Sequence, residues 1–382
     1  MHDALILGAG RSPFGARHGR FARRHPAELL GEVFAAVLVR SGVDPVAVDE
    51  VLVGCATPVG AQASNLAAAA ARASGHLRGL PASVVSTGDT SSLVALVRAL
   101  DAVRSGRCGI VLVGGVELMS TVPAGADLSH RGFGLPLPPA PGEALLFPGP
   151  AAEQWAQRQG VSRDRLEDLA QRSRRRAREA QASGRLAAEL LAMSDGANEA
   201  SPGTAGDELL GAGEAGDRRF TEGLYSRDGL LTAATVAPMA DGAAAAVVAS
   251  PAAARRVGLE PLAGVVAAAV VGGDPSAGAG SSPEAARRAL ALPAVDAGNV
   301  RRVELAELFA TGIVHWETDR PDLAEVLNPD GGSLALGHPQ GATGVGLVAR
   351  LARALTAPGG AGYGLAACDA SDGHGVAVLL QA

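Results

Sequence analysis

Cysteine is scarce in this chain: its 382 residues include three, Cys55, Cys108 and Cys368, an odd count with no CxxC spacing. That argues against a disulfide framework and against a zinc knuckle. Aromatic side chains make up only 3% of the residues, so the core has to be packed from small aliphatic groups with close helix–strand contacts. Positive charge is not in excess either. The 33 Lys and Arg face 39 Asp and Glu, a net charge of −6, and the basic residues are scattered rather than striped, which leaves no electrostatic footprint for nucleic acid. Long apolar runs are missing as well, each being broken by Gly, Asp or Pro well short of bilayer length. The opening "MHDALILGAG" has no basic segment ahead of a long apolar one, so the expectation is a cytoplasmic protein with no membrane association.

What is present is apolar bulk: 47% of the residues are hydrophobic, enough for a large core and for two or three domains. "ALILG" followed by "HPAELLGEVFAAVLVRSG" reads as strand, loop and helix, with Leu30, Val33, Phe34, Val37 and Leu38 at helical spacing and Gly42 as the stop. "VDEVLVGCA" and "GIVLVGG" are short apolar runs of the kind expected of buried strands, with the amphipathic "SSLVALVRALDAVRSG" between them. From Ser120 to about Pro202 the character changes to a Pro/Gly-rich loop, "HRGFGLPLPPAPG", and a charged helical run. Within that run the arginines from Arg172 to Arg178 read as a solvated helix face, or as partners of a phosphate-bearing ligand. From "PMADGAAAAVVAS" to the end, strand and helix patterns alternate again. The reading is an α/β protein of two similar halves, residues 1–121 and 248–382, joined through a loop or cap region at 122–247 that returns to the core.

"GAGRSPFG" imitates a dinucleotide-binding loop, but the third glycine of G-x-G-x-x-G is Pro13 and no helix pattern opens there. The most specific stretch is "LNPDGGSLALGHPQGATGVGLVARL", Leu327–Leu351. Glycines flank a His-Pro pair just ahead of a helix, a setting that holds an imidazole rigidly at the mouth of a site.

This stretch resembles the GHP block of the thiolase family. The resemblance continues in order through "GRSPFG", "GVDPVAVDEVLVG", "VLVGGVELMS", "WAQRQGVSRDRLEDLAQRS", "MADGAAAAVVAS" and "VELAELFA". It implies two duplicated halves in five α/β/α/β/α layers with an inserted loop domain, and an acyl-CoA or acyl-carrier thioester as substrate. It implies no cofactor and no metal; CoA enters as part of the substrate. It also implies a homodimer or a larger assembly.

The family's chemistry uses a cysteine at a helix N-terminus as acyl carrier, the GHP histidine to deprotonate it, a second cysteine as acid and base, and an Asn that holds a water in an oxyanion hole. Set against those positions, only His338 is retained. Asp89 stands at the nucleophile position in "DTSSL", where a carboxylate is also an ordinary N-cap. Asp369 stands at the second cysteine position in "GLAACDASDGHG", with Cys368 one residue earlier; making Cys368 catalytic would need an inserted residue before Gly375. Ala306 stands at the Asn position, with Glu307 and Phe309 kept. Ala237 stands where a pantetheine-contacting Ser is usual, and Arg218 and Arg219 remain as phosphate partners. His374 is either a second imidazole or a surface-turn histidine.

The expectation is therefore a divergent thiolase-like enzyme that makes or breaks a carbon–carbon bond without a cysteine acyl-enzyme. Asp89, His338 and Asp369, with His374, would converge as acid/base groups, and Ser371, Gly373, Gly375, Ala306 and Ala237 would line the substrate. Backbone N–H groups of Asp89 and Ser371 would form an oxyanion hole. The alternatives are an inactive subunit that pairs with an active thiolase-like partner, and a retro-aldolase that works with an OB-fold partner. Asp89, Asp369, His338 and His374 are also metal-ligand types, although the family resemblance implies none.

Overall fold

The computed structural model describes residues 2–128, 148–194, 206–211, 222–278, 280–291, 295 and 297–382. The loop "HRGFGLPLPPAPG" and the pair Arg218 and Arg219 lie outside these residues.

Near-continuous apolar strands mark sheets covered on both faces, and the first half is built that way. It comprises β1 (Ala4–Arg11), the short β2 (Gly15–Ala16), α1 (Pro26–Ser41), β3 (Glu50–Gly54), α2 (Leu66–Ala73), β4 (Ala82–Val85), α3 (Ser91–Arg104) and β5 (Ile110–Leu118). All nine residues of β5 are buried, and they alternate between two cores. Ile110, Leu112 and Val116 pack with Leu30, Val33 and Phe34 of α1, while Val111 and Val113 pack with Leu93 and Leu96 of α3. α1 starts on a His25 cap with Pro26 in its first turn and stops at Gly42 in the left-handed region, as its sequence implies. The nucleotide-loop imitation is straight β1 strand as far as Arg11, with no helix after it.

The middle region supplies two helices, α4 (Pro148–Arg158) and α5 (Arg163–Ala182), and then β6 (Ala240–Ala249). β6 lies between β5 and β1, antiparallel to both, so this part of the chain closes the first sheet. The arginine run of α5 is mostly occupied by the protein itself. Arg172 pairs with Glu317, Arg174 donates to the Ala234 carbonyl and Arg176 to that of Leu327.

The second half follows as α6 (Pro251–Val257), β7 (Ala263–Gly272), α7 (Ser282–Ala289), β8 (Val300–Leu305), α8 (Ala310–Asp319), α9 (Ser333–Leu336), α10 (Gln340–Thr356), β9 (Tyr363–Asp369) and β10 (His374–Gln381). Its pairings repeat those of the first half. β3 runs parallel to β5, which is antiparallel to β6, which is antiparallel to β1; β8 runs parallel to β9, which is antiparallel to β10, which is antiparallel to β7. β1 also pairs with β7 and joins the two halves edge to edge. α3 and α10 occupy equivalent places, each preceding the strand that lies parallel to an earlier one.

Three apolar cores separate five layers. α1 and α2 cover the first sheet outside. α3 and α10 fill the middle, where Leu93, Leu100, Val348 and Leu351 touch Val113 and Ala246 on one side and Ala366, Val376 and Val378 on the other. α7 and α8 cover the second sheet outside, with Trp316, Ile313 and Phe309 against Leu365, Ala367 and Leu379. The expected α/β/α/β/α architecture is what the chain adopts. Among the described residues no helix is long and apolar enough to cross a membrane.

Candidate active site

The N-termini of the two central helices meet, and the local sequence explains how. "STGDTSS" turns sharply at Gly88, where φ is +58°. The turn is tied by Thr90 Oγ1 and Ser91 Oγ donating to the carbonyls of Thr87 and Gly88. α3 starts at Ser91 with Thr90 as its cap residue, so Asp89 sits one residue outside the helix. Its carboxylate hydrogen-bonds His338 instead of capping the helix. On the other side Gly337 takes φ +91°, a conformation that favours glycine, and a Cβ there would lie 2.7 Å from Leu209 Cδ1. The His338 N–H donates to the Pro238 carbonyl at 2.9 Å, and Pro339 caps α10. The imidazole is thus anchored at its backbone before any side-chain contact is made.

His338 Nε2 lies 2.8 Å from Asp89 Oδ1, and Thr343 Oγ1 lies 3.0 Å from His338 Nδ1. All three residues are buried. An ionised carboxylate only accepts hydrogen bonds, so a neutral His338 carries its proton on Nε2, and Nδ1 is left to accept from the Thr343 hydroxyl. Among the described residues nothing hydrogen-bonds the other Asp89 oxygen, Oδ2. Thr343, one turn into α10, was not singled out in the sequence; a hydroxyl five residues after the motif histidine is the signal that marks it.

Asp369 does not join this pair, and the expected three-group cluster is corrected accordingly. Its Oδ1 accepts the Ser282 N–H and its Oδ2 the Ser282 hydroxyl, both at 2.6 Å, so it binds the first residue of α7. Trp316 Nε1 donates to the same hydroxyl at 2.9 Å. Burial pushes the Asp369 carboxyl up to about 6, and the nearby Asp89 charge adds to the shift. The cause of its orientation is strand alternation: in β9, Ala366 and Cys368 face the central helices, while Leu365, Ala367 and Asp369 face α7 and α8. Cys368 is therefore the side chain on the Asp89 side, and its thiol donates to the Asp89 carbonyl at 3.3 Å. The alternation expected from the sequence holds, with the two residues on opposite sides from those assigned.

The remaining candidates lie around this pair. Ser371 and Gly373 form the turn after β9, where Gly373 takes φ +87° and donates its N–H to Ala370 O at 3.1 Å. Ala370 in turn abuts Gly88, whose Cβ would lie 3.4 Å from the Ala370 Cβ. Gly375 packs on backbone, since a Cβ there would lie 2.4 Å from Ser281 C. His374 is half-exposed and pairs with Asp372 at 2.9 Å, which fits the surface-turn reading. Ala306 and Ala237 are buried, with N–H groups bonded to the carbonyls of Ala367 and Leu308 at 3.0 Å each. Glu307 is structural: it accepts from Ser173 and Asn328 at 2.6 Å each. Among the described residues no group of three or more His, Cys, Asp and Glu is placed to hold a metal ion.

The three thiols are all buried. Burial is the leading cause that raises each of them, with carboxylates at Glu117, at Glu50 and at Asp89 and Asp369 pushing the same way for Cys55, Cys108 and Cys368. Glu117 matters more than Cys55 for the site. Its carboxylate takes the N–H groups of Ala56 and Thr57 and that of Gly341, at the start of α10, and so fastens the histidine turn to the end of β5.

Two α/β halves in five layers, with a Gly-His-Pro imidazole set against the head of a buried helix, define a protein of the thiolase class. The sequence matches the N-terminal domain of thiolase over residues 4–252 and the C-terminal domain over 259–382. It is 32% identical to a 3-ketoacyl-CoA thiolase of Pseudoalteromonas translucida, over 100% of this chain and 99% of that one. It is 30% identical to a steroid 3-ketoacyl-CoA thiolase of Mycobacterium tuberculosis, over 96% of this chain and 90% of that one. The crystal structure of the Bacillus anthracis acetyl-CoA acetyltransferase superposes with a TM-score of 0.87 at 27% identity, covering 100% of this chain and 99% of that one. That of human mitochondrial 3-ketoacyl-CoA thiolase gives 0.84 at 26% identity, covering 100% and 99%. The chain belongs to the thiolase family.

Proposed function

We propose that this thiolase-family protein acts on acyl thioesters of CoA or of an acyl carrier, making or breaking the bond between the α- and β-carbons by acid/base chemistry without a cysteine acyl-enzyme. The observation that carries the reading is the buried Asp89–His338 pair at the head of α3. The three raised thiols support it, because a nucleophilic cysteine needs a lowered pKa or an adjacent base, and the imidazole that would serve as that base is engaged by Asp89.

In the cleavage direction on a 3-hydroxyacyl thioester, Asp89 Oδ2 takes the hydroxyl proton while His338 Nε2–H holds Oδ1. The α–β bond breaks with its electron pair moving onto the α-carbon and thioester oxygen, and the β-carbon leaves as a carbonyl. The proton is returned to the α-carbon, so the atoms balance with no acyl group passing through the protein. Backbone N–H groups at the head of α3 and in the Ser371 turn are the oxyanion donors in this reading. A cytoplasmic location and a homodimer belong to the same proposal. The support for the homodimer is β4, which pairs only with β3 among the described residues and leaves an edge for a second copy.

The test is incubation of the purified protein with acetyl-CoA, acetoacetyl-CoA and longer 3-keto- and 3-hydroxyacyl-CoAs, following free CoA and product masses. Turnover that is lost in both Asp89→Ala and His338→Ala upholds the reading. Turnover that survives Asp89→Ala, or a total absence of turnover and of CoA binding, overturns it.

A further inference from the structure

At the far end of α10 from His338 the chain carries a largely buried ionic cluster that the proposed chemistry does not use. Arg11 is clasped by Glu189 and Asp207, and Arg350 by Glu189 and Glu304. Arg302 pairs with Glu304 and Asp330, and Arg185 with Asp330. Four carboxylates thus serve four arginines. Two further arginines adjoin them with no carboxylate partner among the described residues. Arg40 donates to the carbonyls of Leu190, Ala9 and Ala188, and Arg353 donates to the same Ala9 carbonyl at 3.3 Å. The Arg353 Nε is buried and has no hydrogen-bond partner.

Two positive charges are therefore left over, and each is disfavoured where it lies. Burial and the neighbouring Arg353 bring Arg40 down to about 10, and burial lowers Arg353. Of these groups Arg353 borders a pocket of about 240 Å³, lined also by Arg185, Arg302 and Arg350 with Glu189 and Asp330. Arg353 thus brings to the cavity a guanidinium with an unpaired donor and no carboxylate partner among the described residues, which is what an oxyanion satisfies.

We propose that this pocket is a phosphate-binding site, with Arg353 as its principal ligand-binding residue and the clasped arginines as its electrostatic floor. Arg353 follows His338 by fifteen positions, about 20 Å along the helix at about 1.5 Å per residue. The site is separate from the Asp89–His338 pair, and the inference stands whatever reaction that pair performs. The ligand chemistry is a phosphoryl group, whether free inorganic phosphate or the phosphate of a nucleotide such as CoA.

The experiment is calorimetric titration of the full chain with inorganic phosphate, CoA and dephospho-CoA, repeated with Arg353→Gln and Arg353→Lys, with melting curves to establish that both variants are folded. Wild type is expected to bind phosphate in a salt-dependent manner, with affinity falling at least about tenfold in Arg353→Gln, the value of one charge-assisted contact, and partly restored in Arg353→Lys. Competition then separates the sources. Displacement of phosphate by CoA but not by dephospho-CoA assigns the nucleotide's 3′-phosphate, displacement by both assigns its diphosphate, and displacement by neither assigns free phosphate. Absence of phosphate binding to wild type, or equal binding by Arg353→Gln, overturns the proposal.

Discussion

Asp89 Oδ1 and His338 Nε2 stand 2.8 Å apart in the interior, although the two residues are 249 positions apart and belong to opposite halves of the fold. The duplication makes this possible, because the central helices α3 and α10 occupy equivalent positions and bring their heads to one place. A buried carboxylate on an imidazole fixes the tautomer and the ring orientation. Asp89→Asn keeps the size and one oxygen but removes the base. Turnover of the responsive acyl-CoA is expected to fall by about two to four orders of magnitude, the range for a positioned general base, with folding cooperativity unchanged. Steady-state kinetics beside a urea melt checks both halves of this statement.

Thr343 reaches only the other ring nitrogen, so it acts through His338. Thr343→Val preserves shape and deletes the hydroxyl. The expected result is a loss in kcat of up to about tenfold, the value of one hydrogen bond, with KM little changed and the pH profile of kcat displaced. Thr343→Ser should restore most of the rate, which a packing role for the methyl group would not allow.

Asp369 offers a test by pH. Its folded carboxyl lies at about 6, above the usual value near 4 for an exposed Asp. In that window the folded state binds more protons than the unfolded one, so this group's contribution is fully present below about pH 4 and is lost as pH rises to about 6. The shift corresponds to about 3 kcal/mol. Asp369→Asn keeps an acceptor for the Ser282 N–H but does not titrate. Chemical denaturation at pH 4.5 and pH 7 should show wild type losing more stability than the variant over that interval; equal losses would contradict the assignment.

Strand and helix identities were legible in the sequence because their signals were local, whereas the order of the five layers came from the resemblance to the thiolase family. β5 read as a buried strand from its unbroken apolar run, and α1 from its spacing and its Gly42 stop. The candidate site was legible at His338, where glycines and proline fix the backbone, while Asp89 was found through the resemblance, which set it at the nucleophile position ahead of α3. The orientation of Asp369 was not legible, because alternation tells which neighbours face opposite ways but not which of the two faces the site. That is decided by the packing of β9 between α10 and α7, a relationship across the fold. Thr343 was passed over because its contact is geometric: a hydroxyl in a Gly-rich helix start looks like any other until the imidazole is placed.

The same placement of Cys368 sets the sharpest test of the mechanism. In the native state all three thiols are buried and raised, so the protein should react slowly with a thiol-specific disulfide reagent and release three equivalents only in denaturant. Asp89→Cys puts a thiol at the head of α3 against His338, where the helix dipole and the imidazole both favour the thiolate. One fast-reacting equivalent should then appear, and incubation with acetyl-CoA should give an acetylated protein by intact mass. Should wild type itself show a rapid thiol that disappears in both Cys368→Ala and His338→Ala, Cys368 would be the nucleophile and the cysteine-free reading would fall. Should Asp89→Cys stay slow while folding normally, the head of α3 would not be an activating site, and the role given to Asp89 would go with it.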